Sequence, residues 1–225
     1  MPSTVESPVA DLPQSFEAWW SVPGNWVEEP NQRRGGWSGM LRATLGGRLY
    51  YVKKQCNHLH RSLASPRGEP TTEREYRNIL RLESLGIRVP HPVFRGSGRT
   101  ADGYAGILVT EALEGFVSLD TLEADAVADR RLLAEKVGAV IGILHRARLQ
   151  HSCLYDKHIM VRGQGAQVEV ALIDLEKLRR PMLPWRAAAH DLDQLSRHQS
   201  LWDDGDWRAL LAAHALALRG SGKPA

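Results

Sequence analysis

The chain has 225 residues, 43% of them hydrophobic, which is enough for a buried core in one domain or two joined lobes. With a net charge of +3 and two cysteines, it fits neither a strongly charged binding protein nor a disulfide framework. The N-terminus lacks the pattern of a secretory signal, and the apolar runs fall short of the roughly 20 residues of a membrane span. These features predict a protein of the reducing cytoplasm.

A helix and a hairpin are predicted first along the chain. Ser15 precedes aromatic residues at near-helical spacing, which predicts a short helix within residues 14–26. After a glycine-rich stretch, strands are predicted at 40–45 and 48–54. The Gly46-Gly47 pair between them suits a two-residue turn, so the two strands should form an antiparallel hairpin.

One helix and two further strands are predicted next along the chain. Thr72 and Glu75 match the S/T-x-x-E capping box at the start of a helix that ends before Gly86. Strands are then predicted near 91–95 and 105–111, with turn-rich residues between them. Together with the hairpin they predict a four- or five-stranded antiparallel sheet.

The second half of the chain predicts mostly helices around another hairpin. An apolar stripe predicts a long helix over 122–147. Strands at 158–162 and 168–173 predict the hairpin, and two helices finish the chain. Because the two ends of a hairpin lie close together, residues 151–158 are expected near Asp174, which follows the second strand.

Candidates for the parts of a phosphoryl-transfer site occur along this order of elements. Lys53 ends an amphipathic strand, and Glu75 lies on the next helix, where it could pair with that lysine. Lys54 is a rival for Lys53. Taken singly, an edge-strand lysine and a capping glutamate are the simpler interpretations of Lys53 and Glu75.

A loop that follows the long helix resembles the protein-kinase catalytic loop. Residues 151–159, HSCLYDKHI, match HRDLKPENI in the opening His151, the leucine and the closing isoleucine. We call this segment the catalytic loop. Asp174 then takes the place of the DFG aspartate, which holds magnesium against the nucleotide phosphates.

Over about residues 33–200, these motifs resemble the lipopolysaccharide core kinases, which phosphorylate heptose or 3-deoxy-octulosonic acid (Kdo), and especially their InaA-type branch. The segments that carry the resemblance are RGGWSG (34–39), YYVKKQ (50–55), TTEREYRNI (71–79), LVTEALEGFVSLD (108–120), HSCLYDKHI (151–159), ALIDLEKLRR (171–180) and HDLDQLSR (190–197). The resemblance implies an α+β, bilobal protein-kinase-like fold that uses ATP and Mg²⁺. A small antiparallel-sheet N-lobe with one main helix would span 14–113, after a loose tail at 1–13, and a compact, mostly helical C-lobe would span 114–225.

The resemblance also implies site residues. Those implied to bind ATP are Gly35, Gly36, Gly39, Lys53, Glu75 and Glu111. Asp174 and His158 are implied on the metal side, although magnesium prefers oxygen ligands, so His158 could instead hydrogen-bond to phosphate or to Asp174. On the catalytic loop the implied residues are His151, Cys153 and Asp156. Asp191 is expected to accept hydrogen bonds from the loop backbone.

Cys153 departs from the pattern of the heptose kinases, which carry an aspartate there to orient the substrate hydroxyl. A general base contributes about 10²–10⁴-fold, whereas phosphoryl transfer depends mainly on positioning and charge neutralisation. Asp156 is an alternative base, and Cys153 is most simply a small buried apolar residue. Loss of the aspartate therefore need not abolish transfer.

The predicted function is an ATP- and Mg²⁺-dependent kinase that phosphorylates a heptose- or Kdo-type sugar of the lipopolysaccharide inner core. The expected partner is this core or another small anionic sugar, met in the cytoplasm or by peripheral contact with the inner membrane. A nucleic-acid partner is not expected, because no known nucleic-acid-recognition motif accompanies the basic residues of the sequence. One alternative is a pseudokinase, which Cys153 and Glu176 favour, the latter replacing the DFG glycine. Another is a small-molecule phosphotransferase of the aminoglycoside-kinase type.

Overall fold

The computed structural model describes residues 12–33, 35–60, 66, 68–183 and 185–220. These residues form two compact units. The first unit comprises the described residues up to Tyr76 together with His91–Ala112, and the second comprises Arg77–Pro90 and the described residues from Leu113 onward. The predicted lobe bounds stay a prediction, and most of the predicted tail lies outside the described residues.

The first unit is built around a five-stranded antiparallel sheet. Its helix and strands are α1 (Phe16–Trp20), β1 (Asn25–Arg33), β2 (Gly36–Leu45), β3 (Arg48–Cys56), β4 (Leu59–His60), β5 (Glu69–Pro70), β6 (Pro92–Thr100) and β7 (Gly103–Glu111). The five longer strands form one sheet in the order β1-β2-β3-β7-β6, which confirms the predicted antiparallel sheet. β1, at one edge, was not predicted as a strand.

Two glycine pairs show why one hairpin was predicted well and the other poorly. Gly46 and Gly47 turn between β2 and β3 with φ of 56° and 77°, as the two-residue turn requires. Gly96 and Gly98, predicted within a turn, instead lie in the middle of β6. A Cβ on Gly98 would lie 2.8 Å from the Phe16 ring, so this glycine makes room for α1 against the sheet.

Helix α2 (Thr71–Ser84) contains the division between the units, which falls after Tyr76. It begins one residue before the predicted cap, so Thr72 lies inside its first turn. The Thr72 hydroxyl is buried without a hydrogen-bond partner among the described residues and packs against Gly106, where a Cβ would lie 2.6 Å from Oγ1. The predicted capping box at Thr72 is therefore wrong.

Helices predominate in the second unit, as predicted. Its strands and helices are β8 (Val117–Ser118), α3 (Arg130–Arg146), β9 (Ile159–Arg162), β10 (Glu169–Leu172), α4 (Trp185–His198) and α5 (Asp204–Arg219). The hairpin of β9 and β10 and the two final helices are confirmed. α3 begins later than residue 122, because Asp129 caps it by accepting from Leu132 N at 2.8 Å, after two separate 3₁₀ turns.

Tryptophans near the start of the chain divide between core and surface. Trp19 is fully buried beside Tyr50 and Phe94, whereas Trp26 is exposed. Across the part of the chain that the structure describes, no helix combines the length and apolarity of a membrane span.

Candidate active site

Lys53 and Glu75 form an ion pair in the first unit. Lys53 Nζ lies 2.6 Å from Glu75 Oε2, and the side chains are 12% and 10% exposed, so water screens their attraction little. Lys54 Nζ instead donates to Trp20 O at 2.6 Å, and burial lowers the pKa of Lys54. Lys53 is thus the lysine held by a carboxylate. It does not end its strand as predicted, because β3 stays paired with β2 and β7 as far as Cys56.

The glycines before β3 and the glutamate at the end of β7 have structural settings of their own. Gly35 is exposed in the turn from β1 to β2 with φ of 77°, and a Cβ there would meet nothing within 4 Å. Gly36 and Gly39 lie within β2. A Cβ on Gly36 would lie 2.4 Å from Cys56 O, and one on Gly39 would lie 2.8 Å from the Trp26 ring. Glu111 lies 3.7 Å from Arg48. Gly35 is therefore the glycine at the open tip.

In the second unit, the β9–β10 hairpin brings His158 and Asp174 together. His158 Nε2 lies 3.6 Å from Asp174 Oδ2, and Ile173 N donates to His158 O. His158 Nδ1 lies 2.7 Å from Cys153 O; a carbonyl can only accept, so Nδ1 carries the hydrogen and Nε2 faces the carboxylate. Asp174 has φ of 57°, a left-handed conformation that costs a non-glycine residue about 1–3 kcal/mol.

Asp191 on α4 anchors the start of the catalytic loop. Its fully buried carboxylate accepts from His151 N at 2.6 Å and from Ser152 N at 3.0 Å, with His145 and His190 as further donors. Burial by itself raises the pKa of Asp191, but the hydrogen bonds from His145 and the loop backbone outweigh it and hold this pKa below its usual value. The carboxylate is therefore ionised at neutral pH.

The three loop residues singled out from the sequence differ in environment. Cys153 is buried, and burial raises the pKa of its thiol despite a hydrogen bond with Lys177, so the thiol is protonated at neutral pH. His151 is fully buried, its Nε2 donates to Ile173 O at 3.0 Å, and burial lowers its pKa. Asp156 accepts from Lys157 N at 2.9 Å. Of the three, Asp156 carries the carboxylate.

Of Asp174 and His158, which are implied to lie near the metal, Asp174 suits magnesium because it offers oxygen ligands. No group of three or more His, Cys, Asp or Glu side chains within the described ranges is arranged to hold a metal ion. Magnesium usually needs fewer than three protein side chains, because one or two carboxylates, water and substrate phosphates complete its octahedral coordination. Asp174, 35% exposed at its side chain, supplies one such carboxylate, whereas the His158 nitrogen is a poor magnesium ligand.

Residues 17–214 match the model of the lipopolysaccharide kinase (Kdo/WaaP) family. The chain belongs to this family. It is 36% identical over 203 residues to Protein InaA of Escherichia coli (strain K12), which covers 88% of the chain and 94% of that protein. Over 123 residues it is 30% identical to 3-deoxy-D-manno-octulosonic acid kinase of Xylella fastidiosa (strain M23), which covers 55% of the chain and 47% of that kinase.

Solved structures place this member of the lipopolysaccharide kinase family among protein-kinase-like folds. WaaP in complex with acyl carrier protein matches with a TM-score of 0.68 at 22% identity, covering 89% of this chain and 81% of WaaP. An aminoglycoside-3'-phosphotransferase of type VIII matches with a TM-score of 0.56 at 18% identity, covering 89% of both chains. The predicted fold and kinase class are confirmed.

Two buried amides within the segments that carry the family resemblance have roles that were not predicted. Asn78 donates from Nδ2 to Leu175 O at 2.8 Å and to Leu178 O at 3.1 Å, so it holds both ends of the turn after Asp174. Gln194, one helical turn after Asp191, accepts from Leu154 N at 2.7 Å. Both amides hold the loops that carry the candidate residues.

Adjacent lysines allow a matched test of the ion pair. If Lys53 is the cation that neutralises the phosphates of ATP, then in Lys53→Met the KM for ATP should rise, or kcat fall, by about tenfold or more. Lys54→Met removes a bond to Trp20 O, so it should lower the melting temperature yet leave KM within about twofold. Equal kinetic losses in the two variants would contradict this assignment.

Stability should fall in mild acid because of His214, a buried residue on α5. Burial, reinforced by His145, lowers the pKa of His214 to about 4 from 6.5. Between these values the unfolded chain binds a proton that the folded protein does not, so the free energy of unfolding should decrease by up to about 3 kcal/mol as pH falls from 6.5 to 4. Asp191, whose pKa is also lowered, acts in the same direction at lower pH.

Urea unfolding at pH 7.5 and 5 measures this loss. The same pair of measurements on His214→Gln, which has no titrating ring at this position, should show a smaller decrease. An equal decrease in the two proteins would assign the acid sensitivity to other groups.

Proposed function

We propose that the protein transfers the γ-phosphate of ATP, with Mg²⁺, to a hydroxyl of a heptose- or Kdo-type sugar in the lipopolysaccharide inner core. The observation that carries the proposal is the Asp174 carboxylate, which is partly exposed and strained at the end of the β9–β10 hairpin, 3.6 Å from His158. Strain of this kind persists only where surrounding contacts enforce it, and it is concentrated at functional sites. Family membership adds the reaction class.

Each proposed role follows from a side chain's environment. Lys53, fixed by Glu75 at 2.6 Å, would neutralise phosphate oxygens, with Gly35 at the tip of the turn that would cover them. Asp174 would hold Mg²⁺, which when bound neutralises charge on the phosphates and the leaving ADP. His158, whose Nδ1 hydrogen is committed to Cys153 O, would present Nε2 to Asp174 or to a phosphate.

In the proposed transfer, the acceptor oxygen bonds to the γ-phosphorus, the bond from that phosphorus to the β–γ bridging oxygen breaks, and ADP leaves. The hydroxyl proton departs to water or to Asp156. The neutral, buried Cys153 thiol is not a base for this proton. Because the transition state is loose, positioning of the hydroxyl supplies most of the catalysis.

Since ATP is a cytoplasmic substrate, transfer to a membrane-linked acceptor would take place at the cytoplasmic face of the inner membrane. The second candidate is a pseudokinase that binds nucleotide without transfer. Cys153 favours it, because a buried, protonated thiol stands at the sequence position where the heptose kinases carry the hydroxyl-orienting aspartate.

Two measurements test the proposal. Purified full-length protein should show a higher melting temperature with ATP and Mg²⁺, and it should transfer ³²P from ATP to de-acylated inner-core oligosaccharide. Mass spectrometry of lipopolysaccharide from cells with and without the protein should show a difference in core phosphate. A thermal shift without transfer would favour the pseudokinase, and transfer to an aminoglycoside but not to the oligosaccharide would overturn the acceptor.

A further inference from the structure

We propose that His214, on the last helix, is a positioning residue of the catalytic loop and acts through His145 and Asp191. The inference rests on the proposed function, because the loop concerned is the one that would receive the acceptor hydroxyl. It assigns a role in transfer to a helix that supplies none of the residues of the candidate active site.

His214 closes a chain of three buried side chains from three helices. Its Nε2 lies 2.8 Å from His145 Nδ1, and His145 Nε2 lies 3.2 Å from Asp191 Oδ2. The two histidines are 5% exposed and Asp191 is 0% exposed. Asp191 in turn accepts from the backbone of His151, the first residue of the catalytic loop.

The positions of the hydrogens along this chain of side chains follow from which atoms can donate a hydrogen bond and which can only accept one. The ionised Asp191 carboxylate only accepts, so His145 Nε2 carries the hydrogen that points to it. When the His145 ring carries a single hydrogen, its Nδ1 then has only a lone pair, and His214 Nε2 donates to it. His214 therefore fixes the tautomer and the ring orientation of His145. In catalytic and metal-binding histidines, too, the hydrogen-bond partner of one ring nitrogen sets the state of the other.

Glycines in α3 are a separate observation that points to the same contact. Gly138 and Gly142 lie mid-helix, where each costs roughly 1 kcal/mol relative to alanine. A Cβ on Gly138 would lie 2.2 Å from Leu210 O, and one on Gly142 would lie 2.6 Å from His214 O. The two glycines thus let α5 approach α3 closely enough for the histidine rings to bond.

Loss of the His214 donor leaves His145 Nδ1 as a buried acceptor with no hydrogen to receive. The His145 ring can then rotate or change tautomer, which withdraws one of the donors that hold the Asp191 carboxylate. Asp191 Oδ2 is shared between His145 and His151 N, so a shift of the carboxylate moves the start of the loop. Small misplacements of this kind reduce kcat more than they change nucleotide binding.

Three variants separate positioning from simple loss of stability. His214→Gln keeps an N–H donor at a similar reach, and His214→Leu removes it while keeping the site apolar. Leu210→Val, one helical turn earlier on the same helix, trims a buried side chain without a polar contact. We expect kcat of His214→Leu to fall about tenfold with the KM for ATP within about twofold. His214→Gln should recover most of kcat, and Leu210→Val should stay near wild type.

Proton NMR of full-length protein labelled with [¹⁵N]histidine gives a readout independent of transfer. The His145 Nε2–H signal should be protected from exchange in wild type and His214→Gln and unprotected in His214→Leu. If His214→Leu keeps both this signal and the kcat of Leu210→Val, the inference is overturned. If no protein transfers phosphate but the signals behave as expected, the proposed function fails while the hydrogen-bond chain stands.

Discussion

Replacing Asp174 with asparagine is expected to lower kcat for phosphate transfer by about a thousandfold or more. Asparagine keeps the shape of the side chain and tolerates the left-handed conformation that this position has, φ 57°, so the backbone should hold. What is lost is the negative charge that we propose holds Mg²⁺ against the phosphates. Steady-state transfer with ATP at several Mg²⁺ concentrations measures the loss.

Asp193→Asn is the matched control for this variant. Asp193 is an exposed carboxylate on α4 that pairs with Arg197 at 2.8 Å. Its replacement should leave kcat within about twofold, since an exposed pair contributes little. An Asp174→Asn protein that keeps more than a tenth of wild-type kcat would contradict the assigned role of this aspartate.

Features that repeat a local pattern could be predicted from this sequence. The Gly46-Gly47 turn, the strand that carries Lys53 and the hairpin leading to Asp174 each depend on neighbouring residues, and all three are observed, although the strand runs on to Cys56. The ion pair between Lys53 and Glu75 joins residues 22 apart, but a family motif marks both of them. Local rules and one resemblance were sufficient here.

Contacts made by ordinary residues across long separations could not be predicted. Asn78 reaches Leu175 across 97 residues and His214 reaches His145 across 69, and no local pattern in the sequence indicates either contact. Gly98 was misread for a related reason, since a glycine that makes room for a distant ring has the same local sequence signal as one that turns the chain. The role of each of these residues depends on what it packs against, and that packing depends on the whole fold.

Cys153→Asp should raise kcat for transfer by about 10²-fold, the lower end of what a general base contributes. The thiol at this position is protonated because burial raises its pKa, so it takes up no proton from the acceptor hydroxyl. An aspartate here would meet the Lys177 ammonium, which already hydrogen-bonds to Cys153 and would offset part of the cost of burying a carboxylate. Lys177 and the new carboxylate would then orient the acceptor hydroxyl at the position that Cys153 occupies in the wild-type loop.

Cys153→Asn separates the base from a change in shape. The amide has the size of the carboxylate and can bond to Lys177 through its oxygen, but it takes up no proton. Transfer rates and melting temperatures of both variants and wild type are measured under the same ATP and Mg²⁺ conditions. A rise in Cys153→Asp alone would show that the nucleotide and metal sides of the site are intact and that the missing base limits the rate. If folded Cys153→Asp is no faster than wild type, the base is not what limits this protein, and a nucleotide-binding role without transfer gains support.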